Sequence, residues 1–173
     1  MKSYDFFEKM YLAESTFRGQ ILTLLGISIG ITVAVASGFT TQVVTCSYLK
    51  FSPWTCVTFI AVAAATLVPL CLAIRFLIKA YHPAPYRFLD DPLLFDDYLT
   101  KLKTYTDEWY PNESDQQFNA ISDEWVKRRL IDAASNNRTV NYARSKHLHK
   151  NHQWIMLSAI GTTICYVIKT LGT

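Results

Sequence analysis

The sequence predicts an all-α protein built on an N-terminal transmembrane helical hairpin. Between Arg18 and Lys50 the chain carries no Asp, Glu, Lys or Arg, and between Lys50 and Arg75 it carries none again. A hydrocarbon core is crossed by about 20 apolar helical residues, and the runs Ile21–Thr41 and Trp54–Ile74 each reach that length. The cations are placed to one side of these runs. Lys2, Lys9 and Arg18 precede the first, Arg75, Lys79 and Arg87 follow the second, and Lys50 alone lies between them. Basic residues favour the cytoplasmic side, so the N-terminus and the polar remainder are expected inside, with a short loop around Ser47–Phe51 outside.

Composition narrows the function classes. Half of the 173 residues are hydrophobic, yet the mean hydropathy is only +0.11, so apolar and polar segments are segregated along the chain. A net charge of +3 is too small to argue for nucleic-acid binding by itself. The segmentation predicts a lead-in over 1–20, a membrane hairpin over 21–80 and a cytoplasmic helical domain over 81–173. A core the size of that last domain is marginal alone and would gain from oligomerisation or from docking on the membrane.

In the lead-in, Phe6, Phe7, Met10, Tyr11, Ala13 and Phe17 recur near helical spacing, with Asp5, Glu8, Lys9 and Glu14 between them. Such a helix can lie among lipid headgroups or extend the first membrane helix into the cytoplasm; both readings stand. Ala34-Val35-Ala36 imitates a signal-peptidase site, but the acidic lead-in is unlike a short basic n-region, and the first span is expected to be retained. That span carries Gly26, Gly30, Ala34 and Gly38 at intervals of four. Small residues let helix backbones approach closely where lipid offers no hydrophobic drive. Their partner is either the second helix, through Ala61, Ala64 and Ala65, or another subunit. Pro69 removes one backbone donor from the second helix and should kink it.

His82-Pro83-Ala84-Pro85 ends that helix, because residues before proline avoid the α region. Asp91-Pro92 then reads as a cap with proline in the first helical turn. It opens a helix reaching about Tyr105, with Leu94, Tyr98 and Leu102 on one face, before Trp109-Tyr110-Pro111 breaks it. A segment capped by Asn112 or Ser114 runs to about Ala134 on an apolar stripe of Phe118, Ile121, Trp125 and Leu130; Lys127, Arg128 and Arg129 lie behind that stripe. The last segment runs from about Asn137 to Thr170. Its apolar half, 154–169, is short for a full span, and it is either a third membrane-associated helix or the centre of a cytoplasmic bundle.

The chemistry-bearing residues concentrate between Asn141 and His152, where three of the chain's 4 histidines fall. His149 and His152 share a helix face, while His147 and His149 point nearly opposite ways. With no Cys, Asp or Glu close by in sequence, a zinc site lacks its three or four converging ligands, and no metal or other cofactor is expected. Cys46 and Cys56 flank the outer loop, where a disulfide would depend on compartment and geometry; Cys71 and Cys165 read as small hydrophobes. Arg144 and His149 make an R-x4-H pattern. A metal-independent ribonuclease needs a histidine to move the proton of a ribose hydroxyl and fixed positive charge on the phosphate oxygens. One pair rarely suffices, so two copies would have to meet. The competing reading of the same residues is a basic collar where a helix enters the headgroups.

With this motif the architecture resembles the small membrane accessory protein of type VI-B CRISPR systems, a HEPN-like family. Its members are described as assembling a ring-shaped membrane pore beside an RNA-guided ribonuclease in anti-phage defence. The resemblance covers the chain by architecture and, by motif, only Arg144 and His149. HEPN ribonucleases usually place Asn, Asp or His after the arginine. Here that residue is Ser145, which fits a degenerate motif kept for structure or RNA contact more than an enzyme. The resemblance implies a HEPN-like cytoplasmic domain and a multi-pass protein of a bacterial inner membrane. Its partners would be the bilayer, further copies in a ring, the ribonuclease and RNA. Ser28, Thr32, Thr40, Thr41 and Gln42 are the hydroxyl and amide candidates for a pore lining. The alternatives are a membrane-tethered ribonuclease and a small transmembrane effector triggered by a cyclic nucleotide.

Overall fold

In a computed structural model of the chain, residues 3–46, 52–82, 85–88 and 92–172 are described. They form four helices: α1 (Ser3–Cys46), α2 (Pro53–Tyr81), α3 (Pro92–Trp109) and α4 (Ser114–Gly172). The outer loop Ser47–Phe51, the Pro83-Ala84 break, the Asp91 cap and the Leu94 side chain lie outside the described residues.

The lead-in and first span are one helix of 44 residues, so the first of these extends the second. No proline interrupts them, and at the junction the hydroxyls of Thr16 and Thr23 fold back onto the Leu12 and Gly19 carbonyls at 3.0 and 3.1 Å. Helix α2 starts where Ser52 accepts from the Thr55 N–H at 3.2 Å, with Pro53 in its first turn, the position where a missing N–H removes nothing. It continues past Pro69 and ends at His82, whose N–H bonds the Ile78 carbonyl at 2.9 Å. Helix α3 runs to Trp109, beyond the expected end near Tyr105, because Pro111 is the first residue that cannot extend it.

The largest departure from expectation is α4. The segment expected to stop near Ala134 and the one expected to start near Asn137 are a single helix of 59 residues. Neither glycine nor proline occurs between Ser114 and Ile160, and the Ser135-Asn136-Asn137 polar run does not break the helix. Asn136 and Asn137 turn their side chains to other segments instead of competing for their own backbone.

The chain packs as two compact units. One gathers Met1–Arg18 with Ala84–Asn141, the other Gly19–Pro83 with Tyr142–Thr173. Residues 84–141 and 142–173 therefore fall in different units.

In the first unit, Leu102, Leu130, Ala133, Ala134 and Val140 are buried. Phe118, Ile121 and Trp125 are half-buried, so the expected stripe does turn inward. The Tyr98 and Trp125 rings stack with centroids 4.5 Å apart, and Phe95 meets Trp125 at 5.5 Å. Such pairs add about 0.5–1.5 kcal/mol beyond the area they bury. Lys103 ties the α3 end to the α4 start through Asp107 at 2.9 Å and Asp115 at 2.6 Å. These groups are exposed, and ion pairs of that kind contribute little.

In the second unit, parts of α1, α2 and α4 form two apolar clusters. Ile21, Leu25, Ala80 and Leu148 make one, with Leu77 against it. Phe39, Leu70, Ala73 and Ile155 make the other, joined by Val35, Ala36, Ala63 and Trp154. Partners advance together along α1 and α4, from Leu148 beside Ile21 and Leu25 to Lys169 beside Thr45. The apolar half of α4 is thus parallel to α1. Among the described residues three helices are long and apolar enough to cross a membrane, and only 22 %, 22 % and 17 % of their most apolar stretches is buried by the rest of the structure.

Candidate functional site

The second unit carries a seam of polar side chains among its apolar ones. Ser28 is 1 % exposed. It donates to the Leu24 carbonyl at 2.8 Å and stands 2.7 Å from His152 Nε2. With its one hydrogen on that carbonyl, the hydroxyl accepts from His152, which selects the Nε2–H tautomer. Thr32 donates to the Ser28 carbonyl at 2.7 Å. Asn151, fully buried, donates through Nδ2 to the Ala73 carbonyl at 2.9 Å. At the far end Lys169 Nζ reaches Thr45 Oγ1 at 2.8 Å and Gln42 Oε1 at 3.3 Å. A buried polar group without a partner is costly, so these pairs help to specify which helix faces meet.

The small-residue stripe divides. A Cβ on Gly26 or Gly30 would meet none of the described residues within 4 Å, whereas one on Gly38 would stand 3.8 Å from Thr162 Cγ2. Ala34 is exposed, as are Ala61, Ala64 and Ala65 of α2. The face through Gly26, Gly30 and Ala34 is therefore uncovered, and the close helix approach falls at Gly161 instead, against Thr66.

The pore-lining candidates also divide. Ser28 and Thr32 are buried inside the packing, Gln42 is half-buried, and Thr40 and Thr41 are exposed, with hydroxyls on the Ala36 and Ser37 carbonyls. Of the R-x4-H pair, Arg144 is half-buried and His149 exposed. Five residues along a helix of 3.6 per turn separate them by about 140° around its axis, so one copy does not bring them together. His147 instead stacks on Phe76, with centroids 6.1 Å apart, and Lys150 sits 5.2 Å over the same ring. Burial, then Lys79, Lys150 and Lys146, hold the His147 imidazole below its ordinary value. Among the described residues no group of three or more His, Cys, Asp or Glu is placed to hold a metal ion.

The first unit contains a clamp that sequence reasoning missed. The extended strap 85–88 lies against asparagines of α4. Asn137 accepts from the Arg87 N–H and donates to the Arg87 carbonyl, both at 2.9 Å. Asn136 donates to the Pro85 carbonyl at 3.0 Å. Asn141 accepts from the Tyr86 hydroxyl and donates to Glu14 of α1 through its carbonyl and carboxylate, both at 3.0 Å. The signal was Asn137 and Asn141 one helical turn apart, with Asn136 next to them, legible only once a facing segment of backbone was known. Arg18 of α1 completes the clamp, its guanidinium 4.5 Å from the Tyr86 ring centre and 5.0 Å from that of Phe88.

Compared with known proteins, the chain matches no family model, no curated protein and no solved structure.

Proposed function

We propose that this chain is a multi-pass protein of a bacterial inner membrane that assembles into a homo-oligomeric pore, and that it serves beside a type VI-B RNA-guided ribonuclease in anti-phage defence. The observation that carries the pore reading is the uncovered Gly26–Gly30–Ala34 face on a helix of membrane-spanning length. Small residues at that spacing admit a second helix backbone, and among the described residues none packs against Gly26 or Gly30. The cations Lys9, Arg18, Arg75 and Lys79 at one end of the spans favour a cytoplasmic N-terminus. Thr40 and Thr41, at the opposite end, are then the exposed candidates for a polar lumen, with Gln42 half-buried beside them. The HEPN-like character and the ribonuclease partner rest on the resemblance at Arg144 and His149. The separation of those two residues around α4 and the Ser145 departure both favour a role other than catalysis within one copy.

The test is particle size followed by flux. The full chain, extracted in detergent, should run as a discrete oligomer by mass photometry. In vesicles it should pass ions, and in cells it should collapse the membrane potential when the ribonuclease is active. A monomer at working concentration would sink the pore reading. RNA cleavage by purified protein that is lost in His149→Ala would replace it with the ribonuclease reading.

A further inference from the structure

We propose that Arg18, held between Tyr86 and Phe88, binds the phosphodiester of an anionic phospholipid at the cytoplasmic membrane surface; the site rests on the membrane reading above. Arg18 is the last charged residue before the first span, three positions ahead of Ile21. At about 1.5 Å per residue along a helix, that places it in the headgroup layer when the apolar run fills the hydrocarbon.

Its surroundings are unusual for a surface arginine. The guanidinium packs on two aromatic rings, which holds its plane by cation–π attraction while leaving donor edges available. It forms no ion pair among the described residues. Glu14, one turn earlier on the same helix, spends its carboxylate on Asn141. Arg18 Nε is buried and has no hydrogen-bond partner among the described residues, so the terminal nitrogens are the donors that a phosphate meets. The clamp is fixed in advance, because Tyr86 is tied to Asn141 and the Arg87 backbone to Asn137. Phe88 is 60 % exposed, an apolar surface suited to the glycerol and first methylenes of a lipid. A planar fork of donors matches two phosphate oxygens. One cation in an aromatic clamp suits a single headgroup; a nucleic-acid backbone would call for several cations along a track.

The experiment uses the full chain in neutral detergent, titrated with dioleoylphosphatidylglycerol, dioleoylphosphatidylcholine or inorganic phosphate, with bound lipid counted by native mass spectrometry and thermal stability followed in parallel. Wild type should retain phosphatidylglycerol in preference to phosphatidylcholine. Arg18→Gln should lower that retention at least fivefold with helicity unchanged. Phe88→Leu should weaken it as well. Lys9→Gln removes the same charge from an exposed site on the same helix and should leave retention intact. Equal retention by Arg18→Gln, or equal loss in Lys9→Gln, would overturn the site. Displacement of the lipid by millimolar inorganic phosphate would overturn its assignment to a lipid. Recovery of the wild-type chain from the aqueous fraction without detergent would instead sink the membrane reading itself.

Discussion

Gly161 of α4 passes so near Thr66 of α2 that a Cβ on it would stand 2.9 Å from Thr66 Cβ and overlap the hydroxyl. Thr66 is 3 % exposed, and its hydroxyl is committed to the Val62 carbonyl at 2.7 Å. A branched side chain pinned in that way cannot swing aside. Gly161→Ala should therefore destabilise the second unit by about 1–3 kcal/mol, the usual scale of overpacking, despite alanine's better helix propensity. Pairing it with Thr66→Gly should recover part of the loss. Thermal unfolding in detergent reads both, and a Gly161→Ala chain as stable as wild type would mean that α2 and α4 do not meet there.

Gly30 should behave in the opposite way. None of the described residues stands within 4 Å of a Cβ at that position, so Gly30→Leu is expected to keep helicity and not to lower monomer stability. If the uncovered face joins subunits, the same substitution should shift the detergent particle toward monomer and abolish vesicle flux. Unchanged particle size would show that the face meets lipid instead.

The Ser28–His152 contact should be measurable as a coupling. Ser28→Ala and His152→Ala are each expected to cost about 1 kcal/mol, with an interaction energy near 0.6 kcal/mol in a double-mutant cycle, about the average found for hydrogen bonds between membrane helices. Additive losses would mean that the pair is not formed.

Asn137 holds the strap through two hydrogen bonds to one residue. Asn137→Ala leaves the Arg87 N–H and carbonyl without those partners, a loss of about 2 kcal/mol at roughly 1 kcal/mol per bond. Faster hydrogen exchange at the Arg87 amide and earlier proteolysis between residues 85 and 88 should accompany it. Protection equal to wild type would refute the clamp.

His147 predicts a pH dependence with a defined sign. Burial first, and the lysines at 79, 150 and 146 after it, depress its folded value below the ordinary 6.5. The unfolded chain then binds more protons in the window below that ordinary value, so stability falls as pH drops through it. His147→Gln should flatten that part of the profile. An unchanged slope from about pH 7.5 to about 5.5, the range around an ordinary imidazole, would assign the dependence to other groups.

The α1 and α2 spans were legible because an absence of charge over a membrane thickness needs no partner to be read. The Pro92 start and the Pro111 stop around α3 were legible for a similar reason, since proline acts on its own backbone. The continuity of α4 was not legible. Its Ser-Asn-Asn run has the local chemistry of a cap, and only the facing strap at 85–88 gives those amides other partners. The same holds for the seam. Ser28 reads as one more hydroxyl on an apolar helix until His152 is placed beside it, and the Gly26–Ala34 stripe does not reveal by spacing whether its partner is in the same chain.

By itself the sequence determined that the chain is helical, that it carries spans of membrane length, and which end of them is basic. These are sums over neighbouring residues, and they survive whatever the chain later packs against. Tertiary structure alone decided that Asn137 grips Arg87, that Gly161 is the close approach while Gly26 and Gly30 stay open, and that His152 meets Ser28. Each is a relation set by which surfaces pack together, how far a helix continues and which hydrogen bonds must then be satisfied, and no local pattern encodes it.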